Sequence, residues 1–186
     1  MTTISESSGR CLVVIALGIA MAMCLSLGVA VQSGAQSMSD AEVPAASIIT
    51  GQVELQGRQD WSGATVVVTP TGVSGTTDAD GFYTLPALPV GTYTITVEMA
   101  RYLDAERMIT LVWGANDLPT VRLLAGDVND DDEVDIVDMS IIGGKYDSAV
   151  NPLTERADVN ADGYVDIVDI VLTAGNYART SPVPWP

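Results

Sequence analysis

The stretch TDADGFYTLPALPVGTYTITV, residues 77–97, decides the fold predicted for the first half of the chain. In its last part Tyr93, Ile95 and Val97 fall on one face of an extended strand, and threonines fall on the other. The four residues 78–81 are typical of a tight turn, in which Gly81 is available for a positive φ. The stretch therefore predicts a turn followed by a half-buried antiparallel strand.

Other short segments between residues 47 and 124 share this composition of valine, threonine, isoleucine and tyrosine, and glycine or proline separates them. These segments are IITGQVEL, ATVVVTP, GTTD, FYTLP, MITLVW and TVRLL. No long helical pattern interrupts them. Repeated short strands with regular turn signals predict an all-β antiparallel sandwich over residues 47–124.

Three parts of this region together resemble the carboxypeptidase regulatory-like domain: GQV near Gly51, GATVVVT from Gly63, and the stretch quoted above. The resemblance implies a seven-stranded, transthyretin-like sandwich, also described as a carbohydrate-binding-like fold. It also implies an accessory module without peptidase activity. A fold of this kind does not by itself assign a function.

Sugar binding by the sandwich would require exposed aromatic side chains. The candidates are Trp61, Phe82, Tyr102 and Trp113. The alternative is that the aromatic residues pack inside. Alternation places Tyr83 and Tyr93 in the core, and Trp113 continues the buried face of residues 109 and 111.

The second half of the chain contains an internal repeat. DVNDDDEVDIVDM begins at Asp127, and DVNADGYVDIVDI begins at Asp158, 31 residues later (158 − 127). Acidic and amide residues at positions 1, 3, 5, 9 and 12 of a twelve-residue loop, with a backbone carbonyl at position 7, suit calcium. The predicted ligands of two Ca²⁺ ions are Asp127, Asn129, Asp131, Glu133, Asp135, Asp138, Asp158, Asn160, Asp162, Tyr164, Asp166 and Asp169.

The two loops differ at position 6. The second loop has Gly163 there, whereas the first has Asp132, for which a left-handed backbone costs about 1 kcal/mol. We therefore expect the first site to bind calcium more weakly. Val134 and Val165, at position 8, are predicted to pair across the loops. The alternative, a solvated acidic linker, is disfavoured by the regular VDIVD alternation.

Aspartate at position 12, and the short helical segments MSIIGGKYD and IVLTAGNYA after the loops, give residues 124–180 a resemblance to a type I dockerin. The resemblance implies a small all-α calcium module that docks onto a cohesin-type partner. In that family loop positions 10 and 11 contribute to recognition. Here those positions are Ile136-Val137 and Ile167-Val168, which departs from the small hydroxylated pair of the family.

The N-terminal part predicts export. Residues 11–31 form a charge-free apolar stretch, and small residues precede a candidate cleavage site after Ala35. The stretch is also near the length of a bilayer span, so an uncleaved anchor is the alternative. Both cysteines, Cys11 and Cys24, lie in this stretch, so the mature part would hold no disulfide.

The predicted organisation is accordingly a leader at residues 1–35, a linker at 36–46, the sandwich at 47–124, the calcium module at 125–180 and a proline-rich tail at 181–186. The tail is either extended and disordered, or Trp185 folds back near Leu123 or Leu124.

Composition excludes several classes of function. The chain has no histidine, which removes His-dependent catalytic machinery and ordinary zinc sites. Its net charge of −16 argues against nucleic-acid binding. With 24 acidic residues, many of them in the repeats, repulsion between carboxylates predicts folding that depends on calcium.

The sequence thus predicts a secreted, non-catalytic adaptor that binds two calcium ions and docks to a cohesin-type partner in a polysaccharide-degrading or cell-surface assembly. Membrane contact is expected only through an uncleaved leader. The alternative is a carbohydrate-binding accessory protein in which the sandwich holds a polysaccharide and the calcium module is structural.

Overall fold

The computed structural model describes residues 46–186, and most of these residues belong to a β-sandwich with few helices. The strands are β1 (Ala46–Leu55), β2 (Thr65–Thr69), β3 (Val73–Thr76), β4 (Phe82–Pro89), β5 (Gly91–Glu98), β6 (Arg101–Tyr102), β7 (Ala105–Leu111), β8 (Gly114–Asp117) and β9 (Val121–Leu123). One sheet has the order β4-β1-β8, with β9 also paired to β1, and the other has the order β3-β2-β5-β7.

The leader predicted at residues 1–35, the linker residues before Ala46, and both cysteines lie outside the described residues. None of the helices within residues 46–186 has the length and apolar character needed to cross a membrane.

The strand count differs from the predicted seven, because the two sheets contain four strands each. β8 pairs in parallel with Ser47–Thr50, and β9 pairs in parallel with Val53–Leu55. These two strands therefore occupy successive stretches of the same edge of β1. Pro119 lies between them and has no backbone N–H to donate to a ladder, which accounts for the interruption.

The predicted turn before β4 is confirmed. Gly81 has φ +80, and its N–H donates to the carbonyl of Asp78. A Cβ on Gly81 would lie 2.1 Å from the carbonyl oxygen of Val53, so glycine is required for space as well as for φ. The turn thereby fixes the register in which Gln52 faces Phe82 across β1 and β4.

The core lies between the two sheets. As the alternation in β5 predicts, Ile95 and Val97 are buried, and Tyr93 packs partly against them. Tyr83 is buried against Gly51, where a Cβ would come within 2.5 Å of the phenolic oxygen. Burial raises the pKa of Tyr83 well above its usual range.

The region after the sandwich contains two helices and two short ladders. Its elements are β10 (Ala125–Asp127), α1 (Ile136–Gly143), β11 (Ser148–Ala149), β12 (Tyr164–Val165) and α2 (Ile167–Gly175). The helices begin three residues earlier than the predicted segments. The paired-loop module, our name for residues 125–180, is therefore not all-α, because it also pairs β11 with β12 and β10 with β6 of the sandwich.

The predicted pairing of Val134 with Val165 is wrong, although both side chains are fully buried. Val165 pairs with Ser148, which follows α1, and the backbone of Val134 exchanges hydrogen bonds with Ala178 and Arg179, which follow α2. Each loop therefore pairs with the segment that follows the helix of the other loop. The two partner segments are again 31 residues apart, so the sequence repeat becomes a pseudo-symmetric arrangement.

The tail is ordered against the sandwich. Val183 is buried and its N–H donates to the carbonyl of Asp104, while the indole N–H of Trp185 donates to the carbonyl of Pro119 at 2.9 Å. Trp185 does fold back, but its hydrogen bond is to the connection between β8 and β9 rather than to the predicted Leu123 or Leu124.

Candidate metal centre

Loop 1 (Asp127–Asp138) and loop 2 (Asp158–Asp169) have the same internal hydrogen bonds at position 1. The carboxylate of Asp127 accepts from the backbone N–H groups at positions 5 and 6, at 3.0 and 2.9 Å. The carboxylate of Asp158 accepts from the same two positions, at 3.2 and 3.1 Å. Both side chains are therefore turned into their loops and are buried.

Position 12 closes each loop. Asp138 accepts hydrogen bonds from the backbone N–H groups at positions 2, 3 and 9, at 2.8, 3.2 and 2.8 Å. Asp169 accepts from the same three positions, at 2.7, 3.3 and 2.9 Å. Both carboxylates are completely buried. The first and last residues of the repeat thus converge on the interior of the loop in both copies.

Positions 9 and 12 also begin the helices. Asp135 is the N-cap of α1 and its carboxylate accepts from the N–H of Val137, while Asp138 accepts from the N–H of Asp135. Asp166 and Asp169 form the same capping box at the start of α2. The D-x-x-D spacing therefore starts each helix at position 10, which explains why both helices begin before the predicted segments.

Positions 3 and 5 lie beside each other in both loops. The side-chain amide of Asn129 donates to Asp131 at 2.7 Å, and that of Asn160 donates to Asp162 at 2.8 Å. The amide oxygen of Asn129 is buried and accepts no hydrogen bond. A buried acceptor without a donor is costly, and a cation would satisfy it.

None of the buried carboxylates forms a salt bridge with a Lys or Arg side chain of residues 46–186. In the described part of the chain one salt bridge is formed, between Arg156 and Asp130, and it involves none of the predicted ligands. Burial raises the pKa of Asp127, and the like charges of Asp138 and Asp131 act in the same direction. Burial likewise raises the pKa of Asp169. A bound cation would remove this penalty in both loops.

As placed in residues 46–186, no three Asp or Glu side chains are close enough to hold a metal ion by themselves. A complete ligand set in either loop would also need amide and backbone carbonyl oxygens, which position 3 and position 7 supply. Oxygen donors of these three kinds are those that calcium prefers. The donor set therefore fits calcium, provided that the side chains approach one another on binding.

The backbone explains part of the loop geometry and adds a feature that the sequence did not indicate. Asp132 at position 6 has φ +69, and Gly163 at the same position has φ +97, as expected for both loops. Position 4 is left-handed as well, with φ +58 at Asp130 and φ +57 at Ala161. Each loop therefore holds at least one residue with a Cβ in a conformation that favours glycine.

A basic residue of the sandwich contacts both loops, and sequence reasoning missed it. The guanidinium of Arg101 donates to the backbone carbonyls of Glu155 and Asp158, both at 2.6 Å. Its backbone N–H donates to the carboxylate of Asp130 at 3.0 Å. No periodic pattern marks Arg101, because its role depends on β6 lying beside β10.

Two uncharged side chains complete this junction. The hydroxyl of Tyr102 lies 2.9 Å from the carbonyl oxygen of Gln56 and 3.1 Å from that of Val159. The side-chain oxygen of Gln56 accepts from the amide of Asn176 at 2.6 Å and from the N–H of Ala125 at 3.1 Å. The paired-loop module is thus joined to the sandwich by direct hydrogen bonds as well as by the chain.

Comparison with known proteins identifies the family of the sandwich domain. Residues 48–124 match the carboxypeptidase regulatory-like domain. The resemblance predicted for residues 47–124 is therefore confirmed for this part of the chain, and the match ends where the paired-loop module begins. No curated protein matches the chain. The dockerin resemblance of residues 124–180 stays a prediction.

Two solved structures share the fold. They are a C-terminal and an N-terminal interface mutant of a type II cohesin–X-dockerin complex from Acetivibrio cellulolyticus. Each matches with a TM-score of 0.65 and 22% sequence identity, over 73% of this chain and 97% of the matched chain. At this identity the similarity establishes the fold and does not establish an activity or a ligand.

These matches correct the predicted partner. In a complex of this kind the cohesin is the component that binds a dockerin. On this comparison the prediction of a cohesin-type partner for this chain is wrong.

The aromatic candidates for sugar contact do not form one surface of the carboxypeptidase regulatory-like domain. Tyr102 is buried and Trp61 packs partly against the core. Phe82 and Trp113 are exposed, but they lie beside different parts of β1. Phe82 pairs with Gln52, whereas Trp113 comes directly before Gly114, which pairs with Ser47, five residues from Gln52. The prediction that Trp113 packs beside residues 109 and 111 is wrong, because the chain turns at Gly114, which has φ +94.

The paired-loop module exposes apolar side chains at loop positions 10 and 11. Ile136 and Val137 begin α1, and Ile167 and Val168 begin α2, and all four are exposed. Val171, one turn further along α2, is exposed as well. Exposed aliphatic residues therefore occupy matching positions at the start of the two helices.

Proposed function

We propose that this chain is an exported, non-catalytic protein that binds two calcium ions, one in loop 1 and one in loop 2, and that the ions stabilise the paired-loop module beside the sandwich. The observation that carries the proposal is the identical hydrogen-bond pattern around two buried carboxylates in each loop. Such a pattern concentrates negative charge where no cationic side chain among the described residues forms a salt bridge with the carboxylates.

The proposed ligands are the twelve residues predicted from the repeat, with Glu133 and Tyr164 contributing backbone carbonyls. All donors are oxygens, and neither loop offers a thiolate or an imidazole, which favours a hard cation. When bound, the ion would supply positive charge to Asp127, Asp138 and their counterparts and thereby offset the cost of their burial. Calcium sites outside the cell function at dissociation constants of about 10⁻⁴ to 10⁻³ M.

We further propose that the module binds a protein partner through the exposed first turns of α1 and α2. Because the capping boxes that begin these helices consist of predicted ligands, calcium would hold Ile136, Val137, Ile167 and Val168 in place. The partner surface would have an apolar centre and a basic rim, since this chain carries a net charge of −16. A non-catalytic role agrees with the carboxypeptidase regulatory-like domain, which is an accessory module.

Isothermal titration of the full chain with calcium, with magnesium as the competing ion, tests the proposal. We expect two calcium ions per chain and a higher melting temperature when they are bound. Asp138→Asn and Asp169→Asn should each remove one ion. Loss of a residue that only orients a ligand weakens metal binding by about 10–100-fold, so loss of a ligand should cost roughly 100-fold or more.

The matched control is Asp147→Asn, which changes an exposed aspartate outside both loops and should leave calcium binding unchanged. Binding of fewer than two ions, or equal stabilisation by magnesium and calcium, would contradict the proposed sites. Calcium binding that leaves the melting temperature unchanged would contradict the stabilising role alone.

A further inference from the structure

One end of the sandwich exposes four apolar side chains, which we call the apolar tip: Ile48, Val90, Val112 and Trp113. They are 46%, 47%, 60% and 78% exposed. The strand registers place them together. Gly91 pairs with Leu111, so the turn that carries Val90 lies beside the turn that carries Val112 and Trp113.

The start of β1 lies at the same end. Ser47 pairs with Gly114 on one side and with Leu88 on the other, so β1 begins between the two turns. The described part of the chain therefore begins at the apolar tip, with Ala46.

The turn that exposes Trp113 is held by the side chain of Asn116. Its oxygen accepts from the N–H of Val112 at 2.9 Å, and its amide donates to the carbonyls of Val112 and Gly114 at 2.9 and 3.0 Å. Gly114 provides the left-handed residue that this turn needs, with φ +94. The outward position of Trp113 is therefore determined by a fixed backbone.

Charge is absent from the two turns and the strand ends that form the tip. Residues 46–53, 81–97 and 108–116 contain no Asp, Glu, Lys or Arg, in a chain with 32 charged residues (24 + 8). Glu98, Asp104 and acidic residues of loop 1 lie together at the opposite end of the sandwich, where β5 ends. The length of β5 separates the two ends by roughly 20 Å.

We infer that the apolar tip is a contact surface for the lipid–water interface of a membrane. Tryptophan is enriched at this interface, because its ring is apolar and its N–H can meet the polar headgroups. Aliphatic neighbours add buried area, and the four described side chains of the tip carry no charge that would have to lose its water. The acidic end would be repelled by anionic headgroups, so the uncharged end is the one that can approach lipid.

A sugar is a poorer occupant, because the tip offers a single aromatic ring and the polar groups of Asn116 are already bonded within the turn. A second copy of the chain is the remaining occupant that the experiment has to distinguish. The inference does not depend on calcium binding.

Tryptophan fluorescence of the full chain on phosphatidylcholine vesicles tests the inference, with calcium present throughout. The emission of Trp113 is obtained by subtracting the emission spectrum of the Trp113→Phe variant from that of the unchanged chain. On vesicles this difference should shift to shorter wavelength, and lipids brominated in the acyl chains should quench it by roughly twofold or more. Leu153→Ser, which removes an exposed leucine of the paired-loop module, should leave both effects unchanged.

Three results would overturn the inference. The first is that the chain does not bind the vesicles, or that it binds but the brominated lipids leave the Trp113 emission unchanged. The second is concentration-dependent dimerisation in solution that Val112→Ser abolishes, which would assign the tip to a second copy. The third is a change in Trp113 emission on adding soluble oligosaccharides but not vesicles.

Discussion

The sandwich and the paired-loop module differ in the charged side chains that they bury. The sandwich buries valine, isoleucine and leucine between two sheets, and within each sheet the backbone groups of neighbouring strands pair. The paired-loop module buries four aspartates, at positions 1 and 12 of each loop, and satisfies them with backbone N–H groups. Apolar burial stabilises a fold without any ligand, whereas buried carboxylates stabilise it only when a cation neutralises them. The two regions should therefore respond differently to calcium, to pH and to substitution.

The largest effect is expected in the sandwich and should not depend on calcium. Gly81→Ala would place a Cβ 2.1 Å from the carbonyl oxygen of Val53 in a residue with φ +80. We expect the free energy of unfolding to fall by about 3 kcal/mol or more. Chemical denaturation with and without calcium measures this loss.

Gly72→Ala is the matched control, because Gly72 has φ +71 but nothing within 4 Å of an added Cβ. Its cost should be about 1 kcal/mol, from the backbone alone. Equal losses in the two variants would show that the close approach at Gly81 does not matter.

A smaller effect of opposite sign is expected in loop 1. Asp132→Gly would relieve the left-handed backbone at position 6 by about 1 kcal/mol, which corresponds to roughly fivefold tighter calcium binding at that site. The gain should appear as affinity because the loop folds around its ion. Calcium titration of the variant in the Asp169→Asn background, which isolates loop 1, measures it.

Asp132→Asn separates charge from backbone, since asparagine keeps the Cβ and loses the charge. The reverse substitution in loop 2, Gly163→Asp, should weaken the other site by a similar factor. An unchanged or weaker affinity for Asp132→Gly would contradict the expectation that loop 1 is the strained site.

The third effect, which solvent reduces because the carboxylate of Asp104 is partly exposed, is expected where the two regions meet. Burial, with the negative charges of Glu98 and Asp132 next in effect, raises the pKa of Asp104 to about 6. Between about pH 4 and pH 6 the carboxyl of Asp104 therefore keeps its proton in the folded state and loses it in the unfolded chain. Above about pH 6 the carboxylate is charged in both states, and its burial opposes folding. Asp104→Asn should raise the melting temperature of the calcium-free protein near pH 7.5.

This advantage should shrink as the pH falls through about 6 and vanish near pH 4, where the native side chain is neutral as well. Calcium in loop 1 should also reduce it, because a nearby cation favours the carboxylate. Glu106→Gln, an exposed position on β7, provides the comparison. A constant advantage at all pH values would show that charge at Asp104 is not its cause.

Local patterns predicted much of both regions. Alternation and turn residues identified the strands, and the 31-residue repeat identified the loops whose hydrogen bonds prove to be equivalent. The pattern failed where long-range contacts decide the outcome. Trp113 continues an apolar alternation, but the turn held by Asn116 directs it outward. Val134 and Val165 have matching positions, yet each pairs with the segment beyond the other helix.

The sequence by itself determined the sandwich class, the carboxypeptidase regulatory-like domain and the paired acidic loops, because each of these is a property of neighbouring residues. Only the tertiary structure decided that Arg101 and Tyr102 bond to the loops, that the tail packs on the sandwich, and that the uncharged tip lies opposite the acidic end. These contacts join residues far apart in the chain. Their formation depends on how two sheets and two helices pack, and no local spacing records that.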